Sequence, residues 1–165
     1  MTELADLTAV ALVEAYRARK LSPVEVIDSV IARIDAWEPL LNALWAYDPD
    51  AARASARESE ARWARAEPLG AIDGVPVTIK ENIATKGTPI PLGTAAATLV
   101  PAAADAPPAA RTREAGGVIL AKTTMPDYGM LSSGLSSFHK LARNPWDLST
   151  NPGGSSAGAA AAARS

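Results

Sequence analysis

The chain has 165 residues, of which 48% are apolar, enough for one domain with a real core and too apolar for disorder over most of its length. Its net charge is −2, from 16 basic and 18 acidic residues, and no basic stripe points to nucleic acid as a partner. It has no Cys and 1 His, which excludes disulfides and thiolate metal sites and leaves little support for a His-rich metal site or a Ser–His–acid triad.

The opening Met1-Thr-Glu-Leu-Ala-Asp6 lacks the basic n-region and apolar core of a secretory signal. No segment offers the ~20 apolar residues of a membrane span. A cytoplasmic protein without a membrane partner is expected. Over residues 4–19 the apolar Leu4, Leu7, Val10, Ala11, Leu12 and Val13 precede Arg17 and Arg19, an amphipathic helical pattern. Ser22-Pro-Val-Glu25 is a capping box with Pro at the first helical position. The helix it opens carries Val26, Ile27, Val30, Ile31 and Ile34 and is predicted to end near Trp37. Asp48-Pro49 opens a third helix, from Ala51 to about Ala66, whose charges read as a solvated face. The first 68 residues are thus a helical segment.

The character changes at Leu69, where Gly70-Ala-Ile-Asp-Gly74 is a turn. Val75-Pro-Val-Thr-Ile79 reads as a buried strand that delivers Lys80. Residues 87–109 read as loop with a short helix, and Ala109 to Glu114 as a helix stopped by Gly116-Gly117. Val118 to Ala121 is a second buried strand, followed by Lys122. Strand, helix and strand in this order fit a βαβ unit. The predicted class is α/β: a mostly parallel mixed sheet covered by helices, begun in residues 69–165.

Asn144-Pro-Trp-Asp-Leu-Ser-Thr-Asn-Pro-Gly-Gly-Ser-Ser-Ala-Gly158 is the stretch richest in chemistry. Pro152 turns the chain, Gly153 and Gly154 free the backbone, and Ser155 and Ser156 precede an Ala-rich run that reads as a helix. The start of such a helix carries unpaired N–H groups suited to an anion, bound or made during catalysis. A Gly-Ser loop entering a buried helix fits equally well. The run Ala157 to Ala163 has no polar face, and Arg164-Ser165 follow without a Gly cap or Pro stop, so the chain is expected to be a fragment that partners the rest of its own protein.

Lys80 and Lys122 each follow an apolar strand, and strand position does not choose between them. Burial disfavours the charged form of a Lys, which can then act as a general base. Ser–Lys pairs are a variant of the triad, so Ser155 or Ser156 with a Lys is a candidate nucleophilic arrangement. His139, in Phe138-His-Lys140, reads as a loop hydrogen-bonder.

Four motifs in order, Gly74-Val-Pro-Val-Thr-Ile-Lys-Glu-Asn82, Gly117-Val-Ile-Leu-Ala-Lys-Thr-Thr-Met-Pro-Asp-Tyr-Gly129, Asn144-Pro-Trp and Pro152-Gly-Gly-Ser-Ser-Ala-Gly158, resemble the amidase-signature family. The resemblance runs from about Leu4 to the end of the chain. It implies a Ser–cisSer–Lys triad with Lys80 as the Lys and Ser155, after a cis bond from Gly154, as the bridging Ser. Ser156, Gly153 and Gly154 would support it, and Met130, Leu131 and Ser132 would cradle the substrate. The family's nucleophile lies roughly two dozen residues beyond the bridging Ser, outside this sequence. The resemblance implies hydrolysis of a linear carboxamide, a small-molecule substrate, through a serine acyl-enzyme without cofactor or metal; a homodimer is a further expectation. The amidase-type subunit of a glutamyl-tRNA amidotransferase is a second expectation, against which Ser132-Ser-Gly-Leu-Ser-Ser137 departs from that protein's Gly-Ser-Thr-Glu pattern. A non-catalytic member, or an anion-binding module built on Gly153–Gly158, completes the alternatives.

Overall fold

The computed structural model of the chain describes residues 3–163. Its elements are α1 (Ala9–Arg17), α2 (Pro23–Leu41), β1 (Leu44–Trp45), α3 (Pro49–Ala64), β2 (Pro76–Lys80), α4 (Pro107–Glu114), β3 (Val118–Thr123) and α5 (Ala157–Ala162). The three strands form one sheet in the order β1-β3-β2. β1 runs antiparallel to β3, with Leu44 opposite Thr123 and Trp45 opposite Lys122. Val118 N donates to Val75 O and Glu81 N to Thr123 O, so β2 and β3 ascend together and are parallel. The mixed α/β sheet expected from the sequence is therefore present. No helix of the described residues is long and apolar enough to cross a membrane.

The chain folds into two compact units, each drawn from three stretches. The first comprises the residues up to Ile34, Asp48–Val77 and Ala110–Leu120. Its apolar centre is Leu12, Tyr16, Val26 and Trp63, from α1, α2 and α3. Burying such side chains stabilises by about 1.5–3 kcal/mol each. The Tyr16 and Trp63 rings lie 6.1 Å apart, and Tyr16 donates its hydroxyl to Gly74 O at 3.2 Å. Burial pushes the Tyr16 phenol well above its ordinary range. Under this cluster Arg62 forks onto Asp73, with both N–H···O distances 2.8 Å, and Leu69 N donates to the same carboxylate. Desolvation pulls the Asp73 carboxyl upward, but the Arg62 guanidinium and the Leu69 N–H outweigh it and hold the group below the usual range. Gly116, at φ +84°, leaves room for that carboxylate, since a Cβ there would sit 2.6 Å from Asp73 Cγ.

The helix expected over residues 4–19 is split. Thr8 interrupts it and caps α1 by accepting from Ala11 N, leaving a separate 3-10 turn at Leu4–Asp6. The Ser22–Glu25 capping box forms in both directions, Ser22 N to Glu25 Oε2 and Glu25 N to Ser22 Oγ. α2 runs past Trp37 through Pro39 to Leu41. Pro39 lies in the last turn, where it costs a single intrahelical bond. α3 opens at Pro49, capped by Asp48.

The second unit comprises Asp35–Tyr47, Thr78–Ala109 and the described residues from Ala121 to Ala163. The Glu38 carboxylate accepts from Ala43 N and Leu44 N and so turns the end of α2 into β1. Burial raises the Glu38 carboxyl, and those two N–H groups oppose the rise. β1 is an element not expected from the sequence. Residues 87–106 form turns and two isolated bridges, Lys86 with Ala102 and Pro89 with Pro101, in place of the expected short helix. Pro89, Pro91 and Pro101 withhold N–H groups that a helix there would need. Leu41, Ala43 and Ala161 pack into the core of this unit, with Leu44 and Ala162 at its edge.

Candidate functional site

All the side chains in question belong to the second unit. Along β2 the side chains alternate, Thr78 exposed, Ile79 buried and Lys80 half-buried, and Glu81 just beyond is fully buried. Lys80 and Glu81 therefore leave the strand on opposite faces. The backbone between them is pinned twice, by Glu81 N donating to Thr123 O at 3.1 Å and Ile83 N donating to Lys80 O at 3.0 Å.

Lys80 Nζ donates to Ser155 Oγ at 2.8 Å, joining residues 75 apart in the chain. The Gly154–Ser155 peptide is cis. Gly154 lies against the loop after Gly129: a Cβ there would sit 2.4 Å from Ser133 O and 2.7 Å from Leu131 O. Only Gly allows that approach. Gly153 has φ +87°, and its N–H donates to Asn151 Oδ1 at 3.0 Å. Gly129, at φ +70°, would carry a Cβ 3.8 Å from Ser155 Oγ. Ser155 is thus bracketed by the backbones of Gly154 and Gly129.

The other predicted positions spread around this pair. Ser156 is the N-cap residue of α5 and makes no capping side-chain bond. The helix start is also not left open for an anion at every N–H, because Gly158 N donates to Thr124 O at 3.0 Å. Met130 is 81% exposed, and Leu131 and Ser132 are exposed beside it, so this loop presents apolar and hydroxyl groups outward. Lys122, the competitor of Lys80, is buried and donates to Ile83 O at 2.6 Å. Desolvation holds its ammonium pKa below the ordinary lysine range, although Glu81 and Asp105 oppose that. Lys122 Nζ bonds Ile83 O and Lys80 Nζ bonds Ser155 Oγ, so the two lysines that strand position could not tell apart differ in partner.

Sequence reasoning missed Glu81 as a partner of His139. The His139 Nε2 meets Glu81 Oε2 in a very short contact, with side-chain exposures of 7% and 0%. Trp45 and Phe138 flank the imidazole, Phe138 edge-on with ring centroids 4.9 Å apart. The available signal was a carboxylate directly after an apolar strand, which demands a buried partner. Among the described residues no three His, Asp or Glu gather to hold a metal.

The family model Amidase matches residues 25–163. Over 144 residues the chain is 42% identical to a glutamyl-tRNA(Gln) amidotransferase chain, the A-type subunit, from Anaeromyxobacter sp. (strain K), covering 87% of this chain and 29% of that protein. The protein of the same name from Chloroflexus aurantiacus is 38% identical over 162 residues, 98% of this chain and 33% of its own length. Among solved structures, a bacterial aryl acylamidase of the amidase-signature family superposes with TM-score 0.88 at 32% identity, over 97% of this chain and 34% of that one. The peptide amidase of Stenotrophomonas maltophilia superposes with TM-score 0.87 at 28% identity, over 96% and 34%. The chain spans about a third of the length of the curated relatives it matches.

Proposed function

The chain belongs to the amidase family, the amidase-signature enzymes, and from that premise we propose that the protein carrying it hydrolyses a linear carboxamide through a serine acyl-enzyme. The 2.8 Å contact of Lys80 Nζ with Ser155 Oγ is the observation that supports the reading. In this scheme the Lys80 amine is the base. Ser155 passes its hydroxyl proton to Lys80 as it takes one from the nucleophilic serine, a residue outside this chain. The nucleophile's oxygen bonds to the amide carbon, the C–N bond breaks, and the departing amine leaves with the proton returned through Ser155. Water then attacks the ester by the same relay, and the acid is released. Met130, Leu131 and Ser132 border the acyl group, and Gly153, Gly154 and Ser156 shape the turn that aims Ser155.

The test uses the full-length protein with a panel of simple aliphatic and aryl amides. Amine release, and trapping of an acyl-serine by hydroxylamine, are expected in the wild type and absent in Lys80→Ala. Equal turnover in Lys80→Ala would remove the relay.

The names of the curated relatives support a second reading, in which the chain is part of a glutamyl-tRNA(Gln) amidotransferase. The loop Ser132-Ser-Gly-Leu-Ser-Ser137 favours the hydrolase, since it departs from the pattern associated with the amidotransferase. Amide transfer to glutamyl-tRNA(Gln), with no release of acid from free amides, would select the second.

A further inference from the structure

Among the described residues of this unit the relay leaves two buried ionisable groups without a part, Glu81 and Lys122. Glu81 is fully buried one residue from Lys80, and its carboxylate has two partners of different origin. His139 Nε2 holds Oε2, and Gly93 N donates to Oε1 at 2.5 Å. Lys122 is the nearby cation: its charge interacts with Glu81, and its Nζ donates to Ile83 O.

Gly93 sits in a turn that is itself hard to hold. Leu92 has φ +52° and Gly93 φ +67°, and the facing pair Tyr128 and Gly129 have φ +52° and +70°. Bulky residues adopt such angles only where the surroundings impose them. The two turns are stitched together by Tyr128 N donating to Leu92 O at 2.7 Å, and a Cβ on Gly93 would lie 2.4 Å from Pro126 O. Ser136 ties the far side, donating to Gly93 O at 2.5 Å and accepting from His139 N at 2.8 Å. A continuous chain of contacts therefore runs from Glu81 through Gly93 to Pro126 and Tyr128. From there it reaches Gly129, which faces Ser155, and the Leu131–Ser133 backbone, against which Gly154 lies.

We propose that Glu81, locked by His139, is the positioning residue that fixes both sides of the Lys80–Ser155 contact. On one side it anchors the end of β2 next to Lys80, and on the other it anchors the turn that backs Ser155. The inference rests on the reading of Lys80 and Ser155 as a proton relay. Both partners are needed, because a buried carboxylate that loses either one is left with an unsatisfied oxygen and moves to find another donor. A relay that must hold two heavy atoms at hydrogen-bond distance is sensitive to such movement.

The experiment labels the nucleophilic serine of the full-length protein with an alkyl fluorophosphonate and separates the maximal labelling rate from the apparent affinity. His139→Leu removes the donor to Glu81, whereas His139→Gln keeps an N–H near the position of Nε2. Glu81→Gln keeps the shape but not the charge. His139→Leu and Glu81→Gln are expected to lower the maximal rate by about 10- to 100-fold with little change in affinity, and His139→Gln to stay within about threefold of wild type. Near-ultraviolet circular dichroism confirms that the variants compared are folded. If His139→Leu does not fold, the contrast between Glu81→Gln and His139→Gln decides. The proposal is overturned if the folded variants label at the wild-type rate, if affinity falls in step with rate, or if His139→Gln is as slow as Glu81→Gln. Unchanged labelling of Lys80→Ala, in contrast, refutes the relay and not the positioning.

Discussion

Replacing Gly158 by Ala in the full-length protein sets two effects of opposite sign against each other. In an exposed helix interior the change stabilises by up to about 1 kcal/mol, because Gly costs more backbone entropy than Ala. Here the new Cβ would lie 2.1 Å from Ala43 O and 2.4 Å from Thr124 N, where real Cβ contacts do not fall below 3.0 Å. The shortfall of about 0.9 Å is against backbone on two sides, so α5 itself must withdraw. Withdrawal strains or breaks the Gly158 N to Thr124 O bond of 3.0 Å and unpacks Ala157 and Ala161, both fully buried. Overpacking of this kind costs about 1–3 kcal/mol, and a lost hydrogen bond adds about 1 kcal/mol. A net loss of about 1–3 kcal/mol is expected after the propensity gain is subtracted. Ser155 lies three residues upstream, and a displacement of this size takes its hydroxyl out of the 2.8 Å contact with Lys80. Urea unfolding should report the stability loss, and fluorophosphonate labelling a fall in rate of about 100-fold. A Gly158→Ala protein that is as stable as the wild type and labels as fast would refute both the packing argument and the placement of α5.

Lys80→Arg should fail to restore the acylation lost in Lys80→Ala, because a guanidinium stays charged and cannot accept the proton; amine release from the best amide substrate is the measurement. Asp73→Asn should cost about 3 kcal/mol by urea unfolding, since it leaves the Arg62 guanidinium, 18% exposed, with half of a bidentate pair. Because the folded Asp73 carboxyl titrates below its unfolded value, its contribution is present above the ordinary Asp range and is lost as pH falls through the lowered folded value; Asp73→Asn should therefore flatten the acid limb of a stability–pH profile. Tyr16→Phe should cost about 1 kcal/mol in the same assay by leaving Gly74 O without its side-chain donor.

The parts of the fold written in local chemistry were legible. Ser22 with Glu25 and Asp48 with Pro49 mark helix starts because a cap is satisfied within three residues of itself. The positions of the two strands were legible because Val75–Ile79 and Val118–Ala121 each follow a glycine, but only β3 is the buried strand expected: in β2 Thr78 is exposed and Ile79 alone is buried. What escaped depends on distant partners. β1 is two residues long and exists because β3 lies opposite, and α2 outlasts Trp37 because Leu41 has a core to enter. The candidate site divides the same way. Its motifs named Lys80 and Ser155 through a resemblance, whereas physical reasoning on strand ends left Lys80 and Lys122 equal until their partners were seen to differ, Ser155 Oγ and Ile83 O. The Glu81–His139 pair spans 58 residues, and no spacing rule connects a polar loop to a strand end at that distance.

The link between Lys80 and Ser155 also has a kinetic meaning. It closes a loop of 75 residues, for which chain entropy alone costs about 4 kcal/mol. No short-range contact offsets that cost, so the link is expected to form only after β2, β3 and the turns between them have gathered. Chemical reactivity at the site is then a clock for the last stage of refolding. After dilution from urea, far-ultraviolet ellipticity should recover first and fluorophosphonate labelling should lag behind it, with the helices of residues 9–64 formed while the serine is still silent.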